Sequence, residues 1–194
     1  MTPLLIDGIR FEFDDTWLVA KWDETPWYRE KIERLKGELD GTRESTKAVD
    51  VIGLREETPY LIEVKDFRGF PIENKSRQID ELPLEIGLKA RDTVAGIAGL
   101  VALGDSAELP LRWLRAVRES ARPVHVVAWV AEDLARPGEL AHRRAARENI
   151  RLSTLKQRLA WLTRRVWVSN PLTSTTIPGV IATSLPGAGA ARRP

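Results

Sequence analysis

The chain has 194 residues, 30 Lys/Arg against 28 Asp/Glu and a formal net charge of +2, a size that suits one domain with a full hydrophobic core. It contains no cysteine, which excludes a disulfide framework and thiolate metal sites, and no stretch approaches the roughly 20 apolar residues that a membrane-spanning helix needs. The charge is unevenly placed: residues 1–110 carry 15 Lys/Arg against 23 Asp/Glu, net −8, and residues 111–194 carry 15 against 5, net +10.

Residues 9–22, IRFEFDDTWLVAKW, alternate enough to suggest one or two strands or an irregular N-terminal segment. Thr25-Pro26 reads as a helix cap followed by proline at the first helical position. The expected helix runs from about Pro26 to Lys36, with Tyr28, Ile32 and Leu35 on its apolar face and Gly37 ending it. Strands follow at about Lys47–Leu54 and Tyr60–Lys65, joined by the polar stretch Arg55-Glu56-Glu57-Thr58-Pro59, a hairpin signal. DFRGFPIENKSRQ reads as a loop.

A long helix is expected over about Leu84–Leu103 and a second over Pro110–Glu119. Pro123–Asp133, PVHVVAWVAED, is nearly continuously apolar, as in a strand covered on both faces. A helix is expected at about Ser153–Thr163, capped by Ser153, with Leu155, Leu159 and Leu162 inward, and a short strand at Arg165–Asn170. From about Thr173 the composition turns to Gly, Ala, Pro, Ser and Thr, as in a mobile tail. The pattern predicts an α/β sandwich with a mixed central β-sheet flanked by helices. Residues 1–172 would form a single domain and 173–194 the tail.

The chemistry concentrates in the run YLIEVKDFRG. Glu63, Val64 and Lys65 put an acid and a base into an otherwise apolar strand, and side chains alternate along a strand, so Glu63 and Lys65 share a face. Asp50 stands thirteen residues before Glu63. A turn centred on Glu56 and Glu57 sets the two acids opposite each other, with Cβ atoms about 4.5–5.5 Å apart. Two facing carboxylates are costly alone and suit a hard divalent cation between them, Mg²⁺ or Mn²⁺, with the Val64 carbonyl as a further oxygen ligand. Lys65 would then orient the attacking water or neutralise a phosphate. The plain structural alternative is a surface Glu–Lys pair on an edge strand, with Asp50 a turn residue.

The sequence KAVDVIGL…YLIEVKDFRG resembles the PD-(D/E)XK nuclease superfamily, and most of all its small stand-alone bacterial members with EVKD followed by an aromatic residue and Arg. The resemblance covers about residues 26–131; Val49 stands where the motif's proline is usual. It implies a restriction-endonuclease-like fold and a metal-dependent nuclease, a hydrolase of phosphodiester bonds in nucleic acid, with DNA ahead of RNA and a homodimer for cutting two strands. It also implies a further metal-binding acid from the first helix, Glu30 or Glu33, with Glu24 just before it; Glu30 is the first choice. A basic residue on the helix after the motif strand is implied too, and Lys89 fits that place.

Arg68 and Arg91 lie close to these positions and could contact substrate phosphate, while Asp66 could cap the loop. Arg144, Arg147 and Arg151, spaced three and four apart beside Arg143, form a basic side for the nucleic-acid backbone if that segment is helical, or a solvated helix face. His125 reads as a core histidine and His142 as part of the basic surface. Trp113, Trp129, Trp161 and Trp167 read as core. No P-loop or dinucleotide fingerprint is present. The early acids Asp7, Glu12, Asp14 and Asp15, without a basic-then-apolar leader, lead to an expected cytoplasmic location. The alternative function is a catalytically silent nucleic-acid-binding or scaffold module that keeps the nuclease fold.

Overall fold

The computed structural model describes residues 1–33, 36–39, 42–68, 81–119, 122–132, 141–170 and 177–185. The chain is mixed α/β. Ten strands are described: β1 (Thr2–Ile6), β2 (Ile9–Phe13), β3 (Trp17–Lys21), β4 (Lys36–Leu39), β5 (Thr42–Ser45), β6 (Val51–Arg55), β7 (Thr58–Asp66), β8 (His125–Ala131), β9 (Arg165–Ser169) and β10 (Val180–Ser184). The helices are α1 (Leu82–Ala102), α2 (Glu108–Glu119) and α3 (Ala141–Arg158).

The central sheet has the order β3-β6-β7-β8-β9. Its first pairs, β3–β6 and β6–β7, are antiparallel, and β7–β8 and β8–β9 are parallel. The β6–β7 hairpin pairs Arg55 with Thr58, so its loop is two residues long. Both, Glu56 and Glu57, have positive φ, 49° and 59°, as the tight hairpin turn that follows strand twist demands. The predicted turn centre and register therefore match the observed ones.

Alternation along these strands separates two cores. On one face Ile52, Leu54, Leu61, Val126, Ala128 and Val130 pack with Ile86 and Ile97 of α1, Leu109 and Trp113 of α2, and Leu155 and Leu159 of α3. On the other, Val51, Tyr60, Ile62, Val64, Val127 and Trp129 meet Ile9, Phe11 and Phe13 from a second sheet of order β1-β2-β10. Phe11 sets its ring edge-on to Trp129 at 5.2 Å between centroids. Fully burying such a side chain contributes about 1.5–3 kcal/mol. β7 lies between both layers, which explains why it reads as a nearly continuous apolar run.

Several expectations shift. The helix expected over Pro26–Lys36 begins at Pro26 as expected but stops at Ile32. Thr25 Oγ1 does accept the Tyr28 N–H at 3.3 Å, but the helix narrows to one wide turn, Tyr28–Ile32, closed by Glu33 N–H to the Tyr28 carbonyl. Lys36 and Gly37 instead belong to β4, antiparallel to β5, with Leu39 opposite Thr42. The Asp40-Gly41 pair between them in the sequence is the hairpin signal that outweighs the helical spacing.

α3 begins at Ala141, twelve residues before the expected cap Ser153, which sits inside the helix. Residues 177–185, assigned by composition to the mobile tail, include β10, which pairs with β2 and buries Val180 beside Ile177. Gly179 makes this possible: it takes φ +72°, and a Cβ there would collide with the Asp14 carboxylate. Trp161 is 54% exposed rather than core. His125 packs edge-on between Tyr60 and Trp167. The expected loop beyond Arg68 and the tail beyond Leu185 lie outside the described residues.

Residues 46–49 reach β6 without joining a strand, held against α1 by side-chain acceptors. Lys47 N–H donates to Asp92 Oδ2 at 3.1 Å, and the buried Val49 N–H donates to Thr93 Oγ1 at 3.0 Å. Thr93→Val keeps the shape but removes the acceptor. An unsatisfied buried N–H costs about 1–3 kcal/mol. Urea unfolding should show a loss of that size, and Thr93→Ser should recover most of it.

Candidate active site

The site forms where β6 begins and β7 ends, on the face that looks toward α1. Asp50 sits at the bend before β6. Its carbonyl accepts the Trp22 N–H at 2.8 Å, and its Oδ2 accepts the Val64 N–H at 2.6 Å. The last backbone pair of the hairpin is Val51 with Ile62, so the Asp50 side chain continues the ladder where the backbone stops. Extending that register by one residue sets Asp50 opposite Glu63. A strand residue directs its N–H and C=O to the same side, so the Val64 carbonyl also faces Asp50.

Glu63 and Lys65 share the α1 face, and α1 answers with Glu85 and Lys89, one helical turn apart. The four charges alternate. Lys89 Nζ lies 2.6 Å and Lys65 Nζ 3.0 Å from Glu63 Oε1, and Lys65 Nζ lies 2.9 Å from Glu85 Oε1. The Glu63 side chain has 0% exposure, and its second oxygen, Oε2, is buried with no hydrogen-bond partner.

Sequence reasoning missed Asp23. It lies in a 3₁₀ turn, Trp22–Glu24, directly after β3, and its Oδ1 is buried without a partner. Its signal was an acid closing a largely apolar run, WLVAKWD, as Asp50 opens one and Glu63 interrupts one. The expected first-helix acid, Glu30, is exposed on the Tyr28–Ile32 turn; Glu33 lines the neighbouring cleft. Glu85 was missed as well: an isolated acid on a long helix carries no distinguishing pattern.

Burial sets the proton affinities. It pushes the Asp23 carboxyl up to about 6, with the Asp50 charge adding to the effect. Asp50 is also raised, chiefly by burial. Glu63 is pushed up to about 7 by burial and then by Asp50, against the pull of Lys89 and Lys65. Burial alone would lower Lys65, but Glu63 and Glu85 outweigh it and hold the ammonium charged. Glu85 is lowered: burial opposes this, but the Lys65 hydrogen bond and the surrounding ammonium charges prevail.

Three desolvated acids above their usual range mark a site short of positive charge, even with two lysines present. Oxygen donors with unpartnered lone pairs on Glu63 and Asp23 fit a hard cation such as Mg²⁺ or Mn²⁺. Among the described residues, however, no three His, Cys, Asp or Glu side chains already stand in a metal-binding arrangement; Lys65 and Lys89 occupy Glu63 Oε1 instead.

The expected phosphate contacts are mostly committed elsewhere. Arg68 forks onto Asp66, Nε to Oδ1 at 2.8 Å and Nη2 to Oδ2 at 2.7 Å, while Asp66 also caps the Arg68 N–H. Arg91 is exposed but bonded to Asp92. Arg151 corrects the basic-track expectation: its side chain is 2% exposed, and Nη2 pairs with Glu132 Oε1 at 2.5 Å. The spacing that aligns Arg151 with Arg147 turns it toward the core, where an Arg persists only when paired. Arg147 is half-buried on α3. The Arg144 side chain lies outside the described residues.

The raised acids have a consequence for stability. Glu63 and Asp23 hold protons more tightly folded than unfolded, so their stabilising contribution is complete below about pH 4 and is lost as pH rises through about 6 to 7. In metal-free buffer, urea unfolding should give a more stable protein at pH 5 than at pH 8. Glu63→Gln should shrink that difference; an undiminished difference would assign it to other groups.

No protein-family model and no solved structure matches the chain. A segment is similar to part of the cysteine–tRNA ligase of Neisseria meningitidis, 32% identical over 116 residues, covering 50% of this chain. The chain spans only 17% of that ligase's length.

Proposed function

We propose that the chain is a divalent-cation-dependent nuclease with a restriction-endonuclease-like core, hydrolysing phosphodiester bonds of nucleic acid, DNA ahead of RNA. One observation carries the reading: the buried Glu63 and the partly buried Asp23 and Asp50, all raised in proton affinity, gather with Lys65 and Lys89 around the open end of one hairpin. The order of elements supports it. The antiparallel strands β3, β6 and β7 are followed by α1 and α2 and then by β8, parallel to β7, in keeping with the strands–helix–strand part of the core that the resemblance implies, whereas the helical turn Tyr28–Ile32 and the β4–β5 hairpin fall between β3 and β6. The likeness to a tRNA ligase covers too little of that protein to carry its activity here.

Asp50 and Glu63 would hold the cation, with Asp23 and the Val64 carbonyl beside them. When bound, Mg²⁺ or Mn²⁺ supplies Lewis-acid polarisation of water and of a phosphoryl oxygen. Lys65, held between Glu63 and Glu85, would orient the water whose oxygen bonds to phosphorus as the ester P–O bond breaks. Lys89 becomes a second ammonium for phosphate oxygens once Glu63 Oε1 has another partner. Burial excludes competing water from Glu63 and strengthens each of these interactions.

A second reading is a nucleic-acid-binding or scaffold module that does not cleave. The observation favouring it is the internal compensation of Glu63 by both lysines.

The test is cleavage of plasmid and of labelled single-stranded, duplex and branched DNA with Mg²⁺, Mn²⁺ or EDTA. Cleavage should require the divalent cation, disappear in Glu63→Gln and fall by about 10²–10³-fold in Lys65→Ala. Independently, Mn²⁺ should raise the thermal midpoint of the wild type but not of Glu63→Gln. Full activity in EDTA, or in Glu63→Gln, would remove the reading. Binding without cleavage selects the silent module.

A further inference from the structure

A cleft of about 590 Å³ opens beside the acid cluster, and Asp23 and Lys89 line both. One wall is the Tyr28–Ile32 turn, which contributes Arg29 and, just past it, Glu33. The other is the extended segment at Lys47, whose backbone is pinned to α1 through Asp92. Tyr28 is buried at the base, its hydroxyl donating to the Thr46 carbonyl at 3.2 Å. Its ring therefore offers no stacking platform, and recognition here rests on charge and hydrogen bonding.

Lys47 is the informative residue. It is exposed, and among the described residues no carboxylate pairs with its ammonium, although its charge reaches Glu85 at the cluster. Arg29 is held only loosely, 3.9 Å from Glu24. The cations Arg29, Lys47 and Lys89 thus face a space that also holds the acids Asp23 and Glu33. The volume lies within the roughly 300–1,000 Å³ of small-ligand sites. It admits a nucleotide but not a double helix. A duplex backbone would also bring phosphates against Glu33. A single strand alternates phosphates, which suit the cations, with base edges, whose N–H groups suit a carboxylate.

We propose that this cleft seats a single-stranded stretch of nucleic acid, with phosphates on Lys47 and Arg29 at the mouth and on Lys89 at the inner end. The inference rests on the nuclease reading for the chemistry at that inner end, and it narrows the substrate class to single-stranded, frayed or branched nucleic acid.

The test is fluorescence anisotropy with a labelled single-stranded oligonucleotide and a blunt duplex of the same sequence, in EDTA, for the wild type, Lys47→Ala and Lys47→Glu. The single strand should bind more tightly than the duplex. Each phosphate contact on a single strand contributes about 0.7 to the slope of log affinity against log salt. Lys47→Ala should lower that slope by about this amount, and Lys47→Glu should weaken binding further. Equal binding of duplex and single strand, or an unchanged salt slope in both variants, would overturn the proposal. Because EDTA removes cleavage, the two readings fail separately. Intact Lys47-dependent binding without metal-dependent cleavage removes only the catalytic reading. Cleavage with Lys47-independent binding removes only the cleft.

Discussion

A carboxylate with no solvent exposure sits at the centre of this molecule, and the surroundings of Glu63 are organised by that fact. Burying a charged group costs several kcal/mol, which is offset only by close partners of opposite charge. Glu63 has two, Lys65 from its own strand and Lys89 from α1, and Lys65 is in turn held by Glu85. The alternating charges therefore join the contacts of Ile86 and Ile97 in setting how α1 lies on the sheet. Removing Glu63 outright would take the carboxylate from Lys89 and leave Lys65 with Glu85 alone. The same arrangement leaves Glu63 Oε2 without a partner, an incompleteness that packing alone does not explain.

The hairpin register was legible because its turn and its apolar alternation agree, and a one-residue slip would send Glu63 and Lys65 to the opposite face. Lys89 was legible only through resemblance, since nothing in helical spacing separates it from a solvated lysine. Arg151 shows the limit of reading charge by spacing: of two arginines on one helix stripe, one is half-buried and the other sits in the core when the stripe straddles its boundary. The turn at Tyr28–Ile32 failed for a different reason. Its apolar spacing suits a helix, but β4 and β5 need the residues that would have extended it. β10 was hidden because a five-residue edge strand among Gly, Pro and Thr has little periodicity of its own and depends on pairing with β2.

The charge asymmetry also takes on a local meaning. The acidic half of the sequence supplies the cluster and the cleft, and part of the basic half is committed to partners within the fold, at the surface for Arg112 and Arg122 and in the interior for Arg151. Arg112 spans Glu57 and Glu108, Arg122 donates to the Glu56 carbonyl at the hairpin turn, and Arg151 holds Glu132. Such pairs tie helices and the strand ends they meet to the same sheet, so a net charge counted along the chain overstates the cationic surface open to a polyanion.

The pairing of β10 with β2 has a kinetic side. The hairpin β1–β2 is made before its partner strand, which follows some 170 residues later. Until then Phe11 and Phe13 have an incomplete sheet around them, and the edge of β2 presents unpaired backbone groups that invite foreign strands. Closing so long a loop is slow, because its entropy is lost before the contacts reward it. The layer over β7 therefore stays incomplete until β10 is made, and a nascent chain of this protein carries the open edge of β2 through most of the synthesis of this domain.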